Sequence, residues 1–367
     1  MKQLEPATVA ELAEALASGR RIHLGGAFSK RAMGGPVAEA DVEISTRALR
    51  RVIQYEPADL TISVEAGLPW HELAALLASH RQMIPLDPPF AGTATVGGVV
   101  AANTNGPRRR LFGGVRDAVI GMQFATLQGK LVQSGGMVVK NVAGLDMAKM
   151  MIGSMGTLAA IATVNFKLTP QPEAERTFAF HSTEADAVFN WRDRLLEGVL
   201  QPSAIDLCNP SAAARLGFTG WTLLVRAGGN AAVLDRYARE LAPFEAMDQT
   251  IWRSVEEFTP EYLAGCPTGA VARVSSKLRE MREVMESFPG PAVARAGSGV
   301  AYGYFAEPGA AAAWMSAAAW PRVIEFDAGY AGDRWPLEGG DFDVMRQMKA
   351  MFDPDGLLNR GRLYGRL

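Results

Sequence analysis

An α+β fold is predicted, and three observations predict it. Short segments alternating apolar and polar residues recur between short, well-capped helical stretches. Glycine is in excess at 38 of 367 residues, about 10% against the ~7% usual for globular chains, and ten of them lie between Gly92 and Gly136. At Pro170 and Pro172 the pattern then changes, from glycine-rich short segments to strands alternating with longer charged helices, the mixture of an α+β domain.

Taken in order, residues 8–18 read as a helix. Thr8 and Glu11 have capping-box spacing, Val9, Leu12, Ala13 and Leu16 make one apolar face, and Gly19 follows as a stop. A strand over 21–24 runs into Gly25-Gly26. Residues 42–45 and 61–64 alternate as half-buried strands do. Pro69 opens a second helix with Trp70, Leu73, Leu76 and Leu77 on one side. Strand-like segments follow at 121–126, 131–133 and 158–168, with a short helix over 145–152. Beyond Pro172, 185–197 and 275–288 read as helices and 221–226 as a strand. A buried helix is expected over 309–320, and a last helix ends near Phe352 before the turn 353–356.

Composition narrows the function classes. The apolar fraction of 48% excludes disorder as the main state, and the glycines have no three-residue period, which excludes collagen. The net charge of −2 gives no global sign of nucleic acid. Two cysteines, Cys208 and Cys266, are too few for an iron–sulfur cluster or a structural zinc site, so no metal is expected and a reduced protein is the simpler reading. The opening residues carry acids where a secretory signal would be apolar. Residues 150–166 are apolar but shorter than the ~20 residues a membrane span needs.

The glycines suggest a site. Gly25-Gly26 follows a strand and leads into Ala27-Phe28-Ser29-Lys30, and Gly97-Gly98 follows 93–96. Both loops suit backbone N–H groups approaching an anion, because glycine has no Cβ in the way. Each alone also reads as an ordinary turn, and neither matches the Rossmann or Walker A pattern.

The segment 134–168 is more specific. Val139-Lys140-Asn141-Val142-Ala143-Gly144-Leu145-Asp146 and Gly153-Ser154-Met155-Gly156-Thr157-Leu158 resemble the FAD-lining motifs of the vanillyl-alcohol-oxidase and para-cresol-methylhydroxylase type of flavoprotein. Within it the chain most resembles the small FAD-binding subunits of bacterial glycolate oxidases. Residues 26–34, Gly106-Pro107-Arg108-Arg109, 115–117 and the tail from Phe352-Asp353-Pro354 through Asn359-Arg360-Gly361-Arg362-Leu363-Tyr364 carry that likeness. It is strong over 20–170 and 342–364 and weaker between.

The resemblance implies a PCMH-type FAD-binding domain of two α+β subdomains over 1–170, an inserted α+β cap domain over 171–341, and a segment 342–367 returning to the first. It implies cofactor contacts at Gly25, Gly26, Ala27, Phe28, Ser29, Lys30, Thr95, Gly97, Gly98, Asn103, Gly106, Lys140, Asn141, Gly144, Asp146, Gly153, Gly156, Thr157, Leu158 and Asn359. Many members attach FAD through a histidine directly after the first Gly-Gly. Ala27 stands there, and His23 precedes the loop, so non-covalent FAD is expected. Catalytic relatives that oxidise D-2-hydroxy acids carry a histidine motif in the cap. None of His23, His71, His80 and His181 sits in such a motif, so no catalytic residue is assigned; His71 and His80 read as a solvated helix face.

The function implied is that of one FAD-binding component in a complex oxidising glycolate, and D-lactate as a further substrate, to the 2-oxo acid. Its implied partners are a larger FAD-binding component and an iron–sulfur component of glycolate oxidase, in the cytoplasm, with the complex as the route to the inner face of the membrane. The alternatives are a self-sufficient FAD-dependent D-2-hydroxy-acid dehydrogenase and a non-catalytic assembly protein. Arg108-Arg109-Arg110 reads as an anion or partner contact or as a solvated loop. Arg116-Asp117 reads as an ion pair, Arg273 as a salt bridge or a substrate-carboxylate contact, and Trp335 and Tyr364 as packing residues.

Overall fold

The computed structural model describes residues 1–137 and 146–367. The chain divides into two compact units: Met1–Thr104 with Gly114–Gln171 and Glu338–Leu367, and Asn105–Gly113 with Pro172–Leu337. The segment 105–113 joins the second unit for a local reason. Arg108 pairs with Glu175 at 3.0 Å and Arg110 donates to the Pro202 carbonyl at 2.8 Å. Arg108 is therefore held in an ion pair, not in a solvated loop.

The first unit contains two principal sheets. The parallel one has the order β1 (Lys2–Leu4), β3 (Val42–Ser45), β2 (Ile22–Gly25). Helix α1 (Val9–Leu16) begins as expected: Thr8 Oγ1 accepts from Glu11 N at 3.1 Å, and Glu11 Oε2 accepts from Ala7 N at 2.8 Å. Its buried Leu12, Ala13 and Leu16 pack with Ile22, Val42, Ile44 and Leu358. The antiparallel sheet has the order β4 (Val52–Glu56), β5 (Thr61–Glu65), β9 (Ala160–Lys167), β7 (Val119–Ala125), β8 (Leu131–Gly135). Strands β3 and β5 are buried along their whole length, not half-buried, because their polar side chains are enclosed too. Glu43 accepts from Gln3 and Arg31, and Glu65 from Arg51. Helix α2 (Trp70–Ser79) buries Trp70, Leu73 and Leu77 on this sheet's core. The two-residue strand β6 (Gln82–Met83) pairs with Thr169–Pro170.

The C-terminal helix Phe342–Phe352 and the tail after it belong to this unit. Buried Lys349 holds the junction. Its Nζ donates to Thr157 O and Leu358 O, both at 2.8 Å, and to Asp353 Oδ2 at 2.5 Å. Asp353 in turn accepts from the backbone of Leu357 and Leu358. The tail then lies beside β2, with Ile22 N bonded to Leu357 O and Asn359 N to Ile22 O.

The second unit is built on an eight-stranded antiparallel sheet. One face packs Ile205, Leu207, Leu223, Val225 and Ala294 under helices that include Ala185–Glu197 and Pro308–Ala317. The latter helix is not buried all round: Ala311, Trp314 and Met315 face the core, while Gly309 and Ala313 are exposed. The other face of the sheet carries charge. Asp206 and Arg295 are directly opposite each other and form a buried ion pair. Arg273 reaches Glu325 at 3.2 Å, the salt-bridge reading of that residue. Cys208 and Cys266 are both free thiols.

Candidate functional site

The first unit holds a cleft of about 800 Å³, open to solvent. Its walls come from the segment after β2, from the start of helix α3 (Val96–Ala102), from 155–161 and from the tail. Of the residues expected at a site, it brings together Gly25, Gly26, Ala27, Phe28, Ser29, Lys30, Thr95, Gly97, Gly98, Gly156 and Asn359.

Thr95 organises the two glycine loops. It caps α3, its Oγ1 accepting from Gly98 N at 3.2 Å. A Cβ on Gly26 would collide with that same Oγ1. The missing side chain at Gly26 thus makes room for Thr95, so one loop can pack on the other. Phe28 takes a left-handed φ of 54° and sits edge-on to His23, with the Arg31 guanidinium 4.7 Å from its ring centre. Strained backbone of this kind concentrates at ligand sites.

Asn359 lies on the cleft wall, but its amide is already engaged. Its Oδ1 accepts from Leu24 N at 2.7 Å, and its Nδ2 donates to Leu24 O at 3.1 Å and Met155 O at 2.9 Å. Both amide protons are used. It ties β2 to the 153–157 turn, where Gly156, at φ +70°, leaves it space: a Cβ there would stand 2.7 Å from Nδ2.

The remaining expected residues lie elsewhere. Asn103 is exposed at the C-terminal end of α3, and Asp146 is exposed too. Gly153, Thr157 and Leu158 line a separate apolar groove with Met150, Met345 and Met348. Gly106 belongs to the second unit. Lys140, Asn141 and Gly144 fall outside the described residues. Arg116-Asp117 is not an ion pair among those described; the Asp117 carboxylate caps its own short helix by accepting from Gly114 N at 2.8 Å.

Lys30, Arg31 and Arg362 line the cleft, and among the described residues no acid does; behind the wall Arg31 pairs with Glu43 at 2.8 Å. Sequence reasoning passed over Arg31 and Arg362. The signal for Arg31 was its place directly after Lys30, and for Arg362 its place in the tail motif; only the fold brings that tail to the cleft. Buried His23 has Nδ1 at 3.3 Å from Glu43 Oε2. Burial, with the charges of Arg31 and Arg362, lowers its pKa to about 4, so it is neutral at pH 7. His71 and His80 are exposed at helix α2, and His181 is 3.5 Å from Glu245 in the second unit. None of the four lines the cleft. The donor set therefore suits a large, partly apolar, anionic ligand. A flavin dinucleotide meets that description, with phosphates for the cations and a ring system for Leu24, Ala101, Ala159 and Ile161.

Comparison with known proteins agrees with that chemistry. The family profile described as "FAD binding domain" matches residues 4–135. Glycolate oxidase subunit GlcE of Escherichia coli K12 is 30% identical over 353 residues, 93% of this chain and 92% of the relative. Glycolate oxidase subunit GlcD of Bacillus subtilis 168 is 26% identical over 46% of this chain and 36% of its own length. The D-2-hydroxyglutarate dehydrogenase of Xanthomonas citri pv. viticola is 30% identical over 38% of this chain and 29% of its own. Among solved structures, alkyldihydroxyacetonephosphate synthase superposes with a TM-score of 0.71 over 97% of this chain and 75% of that one, at 16% identity, which shows a shared fold.

Proposed function

Because the chain belongs to the family of the glycolate oxidase subunit GlcE, FAD-dependent oxidoreductases, we propose that it is the small FAD-binding component of a complex oxidising glycolate, or a closely related 2-hydroxy acid, to the 2-oxo acid. One observation carries the reading: the near full-length likeness to GlcE falls on a chain whose glycine loops and tail converge on one cationic cleft.

In this reading the first unit is the FAD-binding domain, with 338–367 returning to complete it, and the second is the cap. FAD, when bound, supplies a two-electron acceptor. Thr95 and the glycines would pack the two loops together beside the dinucleotide. Lys30, Arg31 and Arg362 neutralise the phosphates. Leu24, Ala101, Ala159 and Ile161 keep water from the ring. Asn359 fixes the wall by its three backbone bonds. Lys140, Asn141 and Gly144 remain part of the proposed site on the family motif alone. The attachment is non-covalent, because Ala27 offers no nucleophile where the family's linking histidine stands. The proposed partners are a larger FAD-binding protein and an iron–sulfur protein, which would receive the electrons. Localisation follows the complex: cytoplasmic, held at the inner face of the membrane by its partners. Among the described residues no helix is long and apolar enough to cross a membrane itself, and no group of His, Cys, Asp or Glu could hold a metal.

The test is to purify the full chain alone, record its flavin spectrum, and add glycolate or D-lactate. Bound flavin that does not bleach, and that acid precipitation releases into solution, is the expected result. Bleaching by the chain alone would favour a self-sufficient dehydrogenase. Flavin that stays with the acid-precipitated protein would refute non-covalent attachment, and no flavin even after FAD is added would sink the proposal.

A further inference from the structure

Helix Phe342–Phe352 has one side packed and one side open. Phe342 and Lys349 are buried on the first. Val344, Met348 and Met351, at i, i+4 and i+7, form an apolar row on the other side of the helix. Val344 is 56% and Met351 73% exposed, and no large apolar side chain among the described residues is more exposed than Met351. Val344 and Met348 also line the apolar groove, about 670 Å³, that Met150, Ile152, Leu158 and Met345 share. No charged side chain lines it among the described residues. A contiguous apolar surface of this kind marks an interaction site, and methionines let such a surface adapt to what it binds.

The charges around the row indicate what fits it. Asp343 pairs with Arg346 at 3.4 Å, and Glu338 lies 3.6 Å from Arg366. Asp341, just before the helix, and Asp355, in the turn after it, are exposed and engaged in no described ion pair. Arg360 is exposed farther along the tail, where its carbonyl accepts from Ala38 N. The open row is therefore bracketed by an acid at each end. This arrangement disfavours a second copy of the chain. Asp341 and Asp355 are equally far in sequence from Met348, so an antiparallel pairing centred on Met348 sets Asp341 of each copy against Asp355 of the other. A parallel pairing sets each acid against its own counterpart. Both place like charges together.

We propose that the groove, with the row Val344, Met348 and Met351, docks an amphipathic helix of another protein, apolar on one face and carrying Lys or Arg at both ends. The apolar face would lie in the groove as helix-in-groove partners do, and the basic ends would meet Asp341 and Asp355. The inference goes beyond the FAD reading and stands without it.

The test is fluorescence anisotropy with three labelled peptides of about 18 residues, long enough to form a helix. The first has leucines at i, i+4 and i+7 and two lysines at each end. The second has glutamates in place of those lysines, and the third has the leucines moved off their row. The full-length chain should bind the first at least about tenfold more tightly than either of the others. Val344→Asp and Met351→Asp, both at exposed positions, should weaken that binding by about tenfold or more. Asp341→Lys combined with Asp355→Lys should turn the preference toward the glutamate-ended peptide. Saturating FAD should leave the affinity unchanged. Equal affinity for all three peptides, or none for any, would overturn the proposal. So would displacement of the peptide by FAD, which would put the groove in the cofactor site. A concentration-dependent dimer in sedimentation velocity that Val344→Asp abolishes would also overturn it and give the surface to a second copy. Should a substituted chain not fold, the comparison of the three peptides on the unsubstituted chain decides.

Discussion

Both units bury arginines, and they treat them differently. In the second unit the buried arginines are satisfied within the protein: Arg295 faces Asp206 across two strands, Arg226 lies between Glu175 and Glu256, and Arg322 spends its donors on Met315 O and Trp320 O. In the first unit, Arg362 meets only carbonyl oxygens, and the cleft it lines has cations on its walls without acids among the described residues. The same residue type therefore has two meanings. A buried arginine with a carboxylate partner is part of the scaffold; Arg362, with carbonyl partners alone and a place on the cleft wall, leaves its charge to the cleft.

The sharpest way to break this comparison is at Asp206. Asp206→Asn leaves Arg295 buried beside a neutral partner and is expected to cost about 3–5 kcal/mol in denaturant unfolding. Asp206→Leu with Arg295→Met should recover most of that, because the pair's attraction mainly offsets its own desolvation. If Asp206→Asn is neutral, the second unit's charges are not closed and the contrast fails.

The next effect belongs to His23. Its folded pKa is depressed to about 4 by burial and by Arg31 and Arg362. The unfolded chain, with a pKa near the ordinary value, therefore binds the proton first as pH falls. This difference at His23 should remove about 3 kcal/mol of the folded state's stability between pH 6.5 and 4. His23→Gln should flatten the slope of stability against pH in that window; an unchanged slope would mean the histidine is not held neutral by its burial and the nearby cations.

Gly156→Ala tests how tightly the tail closes the cleft. At φ +70° and with Asn359 Nδ2 2.7 Å from the new Cβ, it should cost about 2 kcal/mol and also shrink the rise in melting temperature on adding FAD. Full retention of that rise would show that the Asn359 clip is not needed for the ligand.

The smallest effect is expected at Arg273. Its side chain is 30% exposed, and buried Glu325, whose pKa burial already raises, can take up a proton once its partner is gone, so Arg273→Gln should cost about 1 kcal/mol. A larger loss would make this pair as closed and dry as Asp206–Arg295.

Much of this was legible in the sequence. The capping box at Thr8 and Glu11, the apolar face of residues 70–77, the break at Pro170 and the turn after Phe352 are local signals, set by hydrogen bonds and periodicity within a few residues. The motifs around Gly25-Gly26, Gly97-Gly98 and 153–158 sufficed to suggest a flavin site and its family, because loop chemistry is written in consecutive residues. The division of labour among those residues was not. Gly26 packs against Thr95, the Asn359 amide is spent on Leu24 and Met155, and Gly153, Thr157 and Leu158 line a different groove. Arg362 joins the loop at Met33 and Gly35 across more than three hundred positions, and Lys349 reaches Thr157 across 192. Which charges are neutralised and which are left for a ligand depends on distances between segments far apart in the chain, and only the folded arrangement sets those distances.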